Sequence, residues 1–474
     1  MFIAMVFLLQ NMINMVDKFR GFYLITLLGL PAGSVAMING VTTFVPAVLA
    51  LFFTLYVDRP PKPGQSKFKR IAFFWAIPFA AVSVLMFWLP GPLAHLVGIQ
   101  MIVYQCVIQI VQQAAQYFCG TSRHIALVIT PNIKEQEKVI TYREIGTAIG
   151  ASAPLVVVLV MGMIMPTGTI AQETLMFMVS TIICAVGVAL ALMIGSRVVQ
   201  ERITYAPKTG TEKPFDGYLD VLRNPSARLI MISEFVREFR GIASFMAVFL
   251  AESLLGGADQ ALLFGLPTGI GTAVGMLLVK EVFLKRFNNK QVFLGSGTYS
   301  ILINIGAFAA GVLAFRNEGV LVFQVIFVVF LFLIGLQFGA SNLLPSLFQS
   351  DILEDIEVTT QKRLEATLAI SMSTSQLFSR TISRTIAPLL LTGFIGYQQP
   401  VYINGTRMAV TQTYSTRIRL LGVFTLVQGA FQLLGALPFI FYKLTGENRE
   451  RIHAQAVALR AQLQQTKEEF ESQA

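Results

Sequence analysis

The sequence predicts an all-α membrane protein of about twelve transmembrane helices, arranged as two pseudo-symmetric bundles of six. Composition is the first observation behind this reading. Of 474 residues, 54% are hydrophobic and 13% charged, with 38 Phe, 18 Met and a mean hydropathy of +0.66, values remote from those of a water-soluble domain. The second is a succession of apolar windows, each near the ~20 residues that cross a bilayer as a helix. The third is an internal repeat: Val16-Asp17-Lys18-Phe19-Arg20-Gly21 recurs as Val236-Arg237-Glu238-Phe239-Arg240-Gly241. Weaker echoes follow at a similar offset, Gly120-Thr121-Ser122 with Gly339-Ala340-Ser341 and Arg143 with Arg363.

Taken in order, the windows are 3–28, 36–56, 71–89, 96–129, 144–165 and 174–196, then 228–253, 261–282, 292–315, 320–349, 365–392 and 419–442. Span one carries Gln10, Asn11 and Asn14 and lacks the basic n-region and cleavage site of a signal peptide, so it is expected to be a retained helix. Spans four and ten exceed the length a bilayer needs and are expected to protrude. The polar run 197–227, with Pro207, Lys208, Gly210, Glu212, Lys213 and Pro214, reads as a linker between an N-terminal bundle, 1–196, and a C-terminal bundle, 228–442. In the charged tail, 443–474, Ile452, Ala456, Leu459 and Leu463 fall at helical spacing, which predicts an amphipathic helix on the membrane surface or on the protein. Gly146 with Gly150, and Gly271 with Gly275, have the spacing that lets helix backbones approach closely.

Charge placement gives an expected orientation. The segments 57–70, 130–143, 197–227, 283–291, 350–364 and 443–474 hold about two dozen Lys and Arg, the intervening loops about three. Both termini are therefore expected in the cytoplasm, with the chain in the inner or plasma membrane. The net charge of +10 follows from that bias and matches an anionic leaflet rather than nucleic acid.

Ionised side chains at mid-bilayer cost roughly 3 kcal/mol each, so they survive where they are paired or face a watery cavity. Span one presents Asn11, Asn14, Asp17, Lys18 and Arg20; span seven presents Glu234, Arg237, Glu238 and Arg240. Between the two copies the inner pair swaps sign. A two-fold relation between spans one and seven would set Asp17 against Arg237 and Lys18 against Glu238, a coupling or gating network, with Arg20 and Arg240 left over. A network that never touches substrate is the alternative. Span eleven adds Arg380 and Arg384 on one face. Span four places Gln105, Gln109, Gln112 and Gln116 on one face, amides suited to bind hydroxyls or to bridge helices.

Cys106, Cys119 and Cys184 are dispersed within spans and predict packing rather than a disulfide or metal cluster. His124 follows Arg123 at the end of span four, and His95 and His453 lie outside the core. HExxH, GxSxG, P-loop and clustered Cys/His patterns are absent, so an enzyme, a cofactor or a metal centre is not expected. Asn404-Gly405-Thr406 is formally a glycosylation sequon. The outward segment 393–418 is long enough to form a lid.

Several ordered motifs resemble those of the glycoside-pentoside-hexuronide:cation symporter family, the melibiose-permease branch of the major facilitator superfamily. They are Asp58-Arg59 through Gly64-Gln65-Ser66-Lys67-Phe68; Thr130-Pro131 with Glu135, Glu137, Tyr142 and Arg143; Arg223-Asn224-Pro225; and Gln361-Lys362-Arg363 leading to Ile395-Gly396-Tyr397. The resemblance covers most of the chain and implies two six-helix bundles, alternating access, and a sugar or glycoside carried with H⁺ or Na⁺. It matches a family basic residue approximately to Arg380. One departure stands out: segments 37–56 and 96–129, where the family places its cation-binding acids, contain no Asp or Glu.

The expectation is a monomeric secondary transporter for a polar, preferentially anionic, small solute. Gln105, Gln109, Gln112, Gln116 and Asn14 would supply hydrogen bonds, and Arg20, Arg240, Arg380 and Arg384 would bind carboxylate or sulfate. Asp17, Glu234 and Glu238 would be the carboxylates for any coupling ion. A lipid or amphiphile transporter of the same fold, and a non-transporting sensor or scaffold, are the alternatives.

Overall fold

A computed structural model describes residues 6, 8–57, 68–88, 98–120, 133–166, 168–198, 216–317, 321–360, 364–399, 401–403, 406–408 and 410–473. Several expected features lie outside them: His95, Arg123, His124, most of the linker 197–227, Gln361-Lys362-Arg363 and part of the sequon.

Among the described residues, twelve spans follow one another. Span one combines Asn11–Asn14, Met15–Phe22 and the wider turn Tyr23–Leu27. Spans two to six are Ala32–Val57, Phe68–Leu85, Ile99–Gly120, the broken pair Ile133–Gly150 and Ala153–Ile164, and Ile170–Val198. Span seven starts where Asn224 caps it, accepting from the Ala227 amide at 3.0 Å, with Pro225 in the first turn. It tightens through Glu238–Arg240 and continues as Gly241–Leu255 until Gly256, at φ 84°, ends it. Spans eight to twelve are Ala258–Phe283, Asn289–Arg316, Leu321–Thr360, Glu365–Leu389 extended by Leu390–Ile395, and Tyr414–Phe441.

Among the described residues six helices are long and apolar enough to cross a membrane: spans two, six, eight, nine, ten and twelve. Of the other six, spans one, four, seven and eleven hold the charges and amides singled out in the sequence. The site is thus built on the helices least suited to lipid, which must be shielded by the rest.

Two boundaries differ from expectation. Span five begins at Ile133, inside a predicted loop, and span ten runs on to Thr360. Both extensions are charged helix, which hydropathy windows discard although the backbone ladder continues. Segment 393–418 contains a small antiparallel hairpin, Val401–Ile403 with Thr406–Met408, the one β element among the described residues.

Glycine contacts join spans eight and ten. A Cβ on Gly271 or Gly275 would strike the span-ten backbone at Phe332, Gly335 and Leu336, and one on Gly339 would strike Gly275. The GxxxG reading of span eight therefore holds, with Gly335 and Gly339 as its unforeseen complement.

The apolar core is divided unequally. On the side away from the termini one cluster joins both halves: Phe19, Phe22, Phe87, Leu155 and Phe177 pack with Met246, Phe249, Leu262, Phe327 and Leu391. On the terminal side there are two clusters, one in each half. Ala72, Phe79, Ala115 and Leu192 form the first, and Ile230, Phe293, Phe348, Leu368 and Phe439 the second. The halves are thus fused at one face and separately packed at the other. Spans one and seven meet in the fused region, Phe22 lying 5.7 Å from Phe249 between ring centroids. Ser152 of span five donates to the Gly265 carbonyl of span eight at 3.1 Å, also across the halves.

The tail forms Gly446–Gln473, with Ile452 and Ala456 buried against the C-terminal cluster. Arg449 reaches Asp351 at 2.9 Å and His453 reaches Glu354 at 3.0 Å.

Candidate functional site

The charged stretches sit at the terminal-side edge of the fused apolar core, on spans one, seven and eleven. Residues 14–21, 233–241 and 376–385 contain six basic groups, Lys18, Arg20, Arg237, Arg240, Arg380 and Arg384, against three acids, Asp17, Glu234 and Glu238.

Each acid has a partner, though not the one the repeat suggests. The structure replaces the expected Asp17–Arg237 and Lys18–Glu238 pairs with three others. Glu234 holds Arg237 one turn along the same helix and accepts from Gln376 Nε2 at 2.8 Å. Glu238 faces span eleven, where Arg380 grips it in a fork, Nε–Oε2 and Nη2–Oε1 both 3.2 Å. Asp17 reaches across the halves to Arg384 at 3.0 Å. The physical reason is the face that spans one and seven share. Gly21 abuts Phe245 and Phe22 stacks near Phe249, so an apolar surface occupies their contact and the charges turn toward span eleven.

Arg380 and Arg384 are consequently engaged by carboxylates rather than open to a ligand. Lys18, Arg20 and Arg240 make no ion pair among the described residues, though acids of the same layer act on each from a distance. Arg240 lies 3.5 Å from Gln432 Oε1, and its guanidinium sits 5.1 Å from the Phe338 ring centroid. Arg20 donates to Asn39 Oδ1 at 3.4 Å and to the Gln105 carbonyl at 3.5 Å. Asn14 is half-buried at the start of the Met15–Phe22 segment.

The span-four amides turn inward: Gln105, Gln109 and Gln112 are buried and Gln116 is half-buried. Gln109 bonds Thr42 of span two, so part of the row serves as interhelical glue. Both amide atoms of Gln105 and of Gln112, and Oε1 of Gln116, lack a protein partner. A buried unsatisfied amide costs about 1–3 kcal/mol, so these groups mark a polar interior with capacity left for water or ligand.

Sequence reasoning missed the neutral frame around the charges. Asn39 links Arg20 to the Arg384 carbonyl, which its Nδ2 meets at 3.2 Å. Gln432 donates to Ser341 Oγ at 2.6 Å, and the Ser341 carbonyl accepts from Arg237 at 2.5 Å. The available signal was Asn39 with Thr42 and Thr43 in span two, and Gln428 with Gln432 in span twelve: isolated polar residues at helical spacing in otherwise apolar spans. Among the described residues no group of three or more His, Cys, Asp or Glu is arranged to hold a metal.

Two six-helix halves, fused at one face and meeting around a polar layer, define a multi-pass membrane transporter of the major facilitator superfamily. A family model of MFS/sugar transport proteins matches residues 1–446, and the chain belongs to that family. Solved structures agree on the fold. The D-xylose-proton symporter superposes with a TM-score of 0.61 at 11% identity, over 94% of this chain and 97% of that one. A bacterial homolog of the human lysosomal transporter Spinster, in an inward-facing and unoccupied conformation, gives 0.58 at 12% identity over 93% and 96%. The nucleoside transporter NupG gives 0.57 at 15% identity over 93% and 99%. No curated protein matches the sequence.

Proposed function

We propose that this protein carries an anionic polar organic solute, such as a sugar acid or acidic glycoside, by alternating access. The observation that supports this reading most is the charge imbalance of the central layer, six basic groups to three acids, each acid already paired. Neutral solutes have no use for a surplus that is so costly to bury, whereas a carboxylate on the solute offsets it. Arg240 is the recognition residue on the C-terminal half, with Gln112 and Gln116 offering amides to hydroxyls on the other. The ordered family motifs favour the glycoside-pentoside-hexuronide branch, with its cation-binding acids missing. Asp17 is then the carboxylate best placed to couple an H⁺ or Na⁺, since it joins the halves and its side chain keeps 22% exposure. The Lys and Arg bias supports cytoplasmic termini, which would make the separately packed face the inward-open one.

Thermal unfolding of the purified protein with D-glucuronate and with D-glucose tests the reading. Glucuronate should raise Tm more than glucose does, and Arg240→Gln should erase that difference. Equal stabilisation by both sugars contradicts an anionic solute and restores a neutral-sugar carrier, whereas an unchanged glucuronate preference in Arg240→Gln removes Arg240 as the recognition residue.

A further inference from the structure

The two arginines that end the repeat are equivalent in sequence but not in surroundings, and Arg20 is the more demanding of the two. It is 3% exposed, at the junction of spans one, two and four. Its two terminal nitrogens meet only neutral oxygens, at 3.4 and 3.5 Å, and its Nε has no partner. Gln105, whose carbonyl one of those nitrogens touches, is 1% exposed with both amide atoms unpartnered. The nearest acid in sequence, Asp17, is committed to Arg384, and Lys18 adds a further positive charge. A buried guanidinium cannot shed its proton, and leaving a buried charge without compensation is strongly destabilising. Among the described residues Arg20 thus makes no ion pair, Asp17 acting on it only from a distance, and its Nε and the Gln105 amide have no hydrogen-bond partner.

We propose that Arg20 and Gln105 form a binding site for one small monovalent anion of the halide class, separate from the solute site at Arg240. Burial decides the size. With Arg20 3% and Gln105 1% exposed, the proposed ligand is a bare ion rather than a sugar ring. Occupation supplies the negative charge that spans two and four, lacking any Asp or Glu over 37–56 and 99–120, cannot provide themselves. It would also leave Asp17 available to Arg384. The proposal extends the anionic-solute reading without depending on it, because the ion is held whether the solute is charged or neutral.

The test is thermal unfolding of the purified full-length protein while sodium chloride replaces sodium methanesulfonate at constant ionic strength. Chloride should raise Tm saturably, by about 3 °C. Arg20→Gln should abolish the rise, and Arg20→Lys should retain it with at least about tenfold weaker apparent affinity, since a point charge replaces a forked donor. D-Glucuronate provides the second arm. If glucuronate rather than chloride gives the Arg20-dependent rise, the site belongs to the solute and the small-ion proposal is overturned while the anionic-solute reading stands. If an Arg20-dependent chloride rise accompanies equal responses to glucuronate and glucose, the small-ion site stands and the anionic-solute reading falls. An anomalous-scattering map from the unmodified protein crystallised with bromide does not depend on a variant folding. A peak beside the Arg20 guanidinium supports the site, and bromide bound elsewhere but not there overturns it.

Discussion

The two copies of the repeat meet the same problem, ionised side chains among apolar helices, and solve it differently. In span seven the charges are settled within the C-terminal half: Glu234 with Arg237, Glu238 with Arg380, and Ser341, Gln376 and Gln432 supplying neutral bonds. In span one the single acid crosses to the opposite half to meet Arg384, and neither Arg20 nor Lys18 makes an ion pair among the described residues. A self-contained network keeps its energy when the halves move, whereas a cross-half network is remade at every cycle. Under the proposed cycle the C-terminal copy would act as a frame, and the cross-half pair of the N-terminal copy would respond to the conformation of the halves.

The largest expected effect lies in the frame. The Arg237 and Glu234 side chains are only 3% and 7% exposed, so Glu234→Gln strands a buried guanidinium and should cost about 3–5 kcal/mol. Thermal unfolding should show a large fall in Tm, with Glu234→Gln, Arg237→Gln recovering part of it. A fall no larger than that of Asp17→Asn would remove the distinction between the copies.

The cross-half pair is looser, its side chains 23% and 22% exposed. A double-mutant cycle of Asp17→Asn and Arg384→Gln should give a coupling energy of about 1–2 kcal/mol, between surface and fully buried values. Strict additivity would show that Asp17 and Arg384 do not interact.

The smallest effect concerns the tail, which docks on the C-terminal half alone. Asp351 lies thirty residues along span ten, about 45 Å from its start at 1.5 Å per residue and so beyond a ~30 Å hydrocarbon core. Burial pushes its carboxyl up to about 6, with Arg449 opposing the rise. An unfolded Asp ionises near ~3.9, so between there and about 6 the folded state holds the extra proton and stability falls as pH rises. Arg449→Gln removes the opposing cation and should extend that decline above pH 6. Tm of the variant, relative to the unmodified protein, should be lower at pH 8 than at pH 6; a constant offset would argue against the contact.

Much of this organisation was legible in the chain. The spans, the two halves and the span-eight glycines follow from hydropathy and spacing, because lipid imposes a simple rule on side chains. The choice of partners was not legible. The sign swap between Asp17-Lys18 and Arg237-Glu238 suggested a direct one-to-seven pairing, but Gly21, Phe22, Phe245 and Phe249 fill that contact. Partner choice depends on which helix faces which, and span eleven is distant in sequence. Asn39 and Gln432 went unnoticed because one amide in an apolar span leaves its window looking ordinary.

The central claim, that span one's charges tie the halves together while span seven's do not, is tested most directly by distances between paired spin labels. Replacing Cys106, Cys119 and Cys184 and labelling Met163 with Leu263 reads the fused face; Val198 with Phe287 reads the terminal face. All four labelled positions are exposed. With no further substitution in that cysteine-replaced background, the Met163–Leu263 distance should be short and narrowly distributed. Asp17→Asn should broaden it and shorten Val198–Phe287, as the balance shifts away from the fused arrangement, whereas Glu238→Gln should leave both distributions in place. Unchanged distances in Asp17→Asn, or equal broadening in Glu238→Gln, would contradict the account.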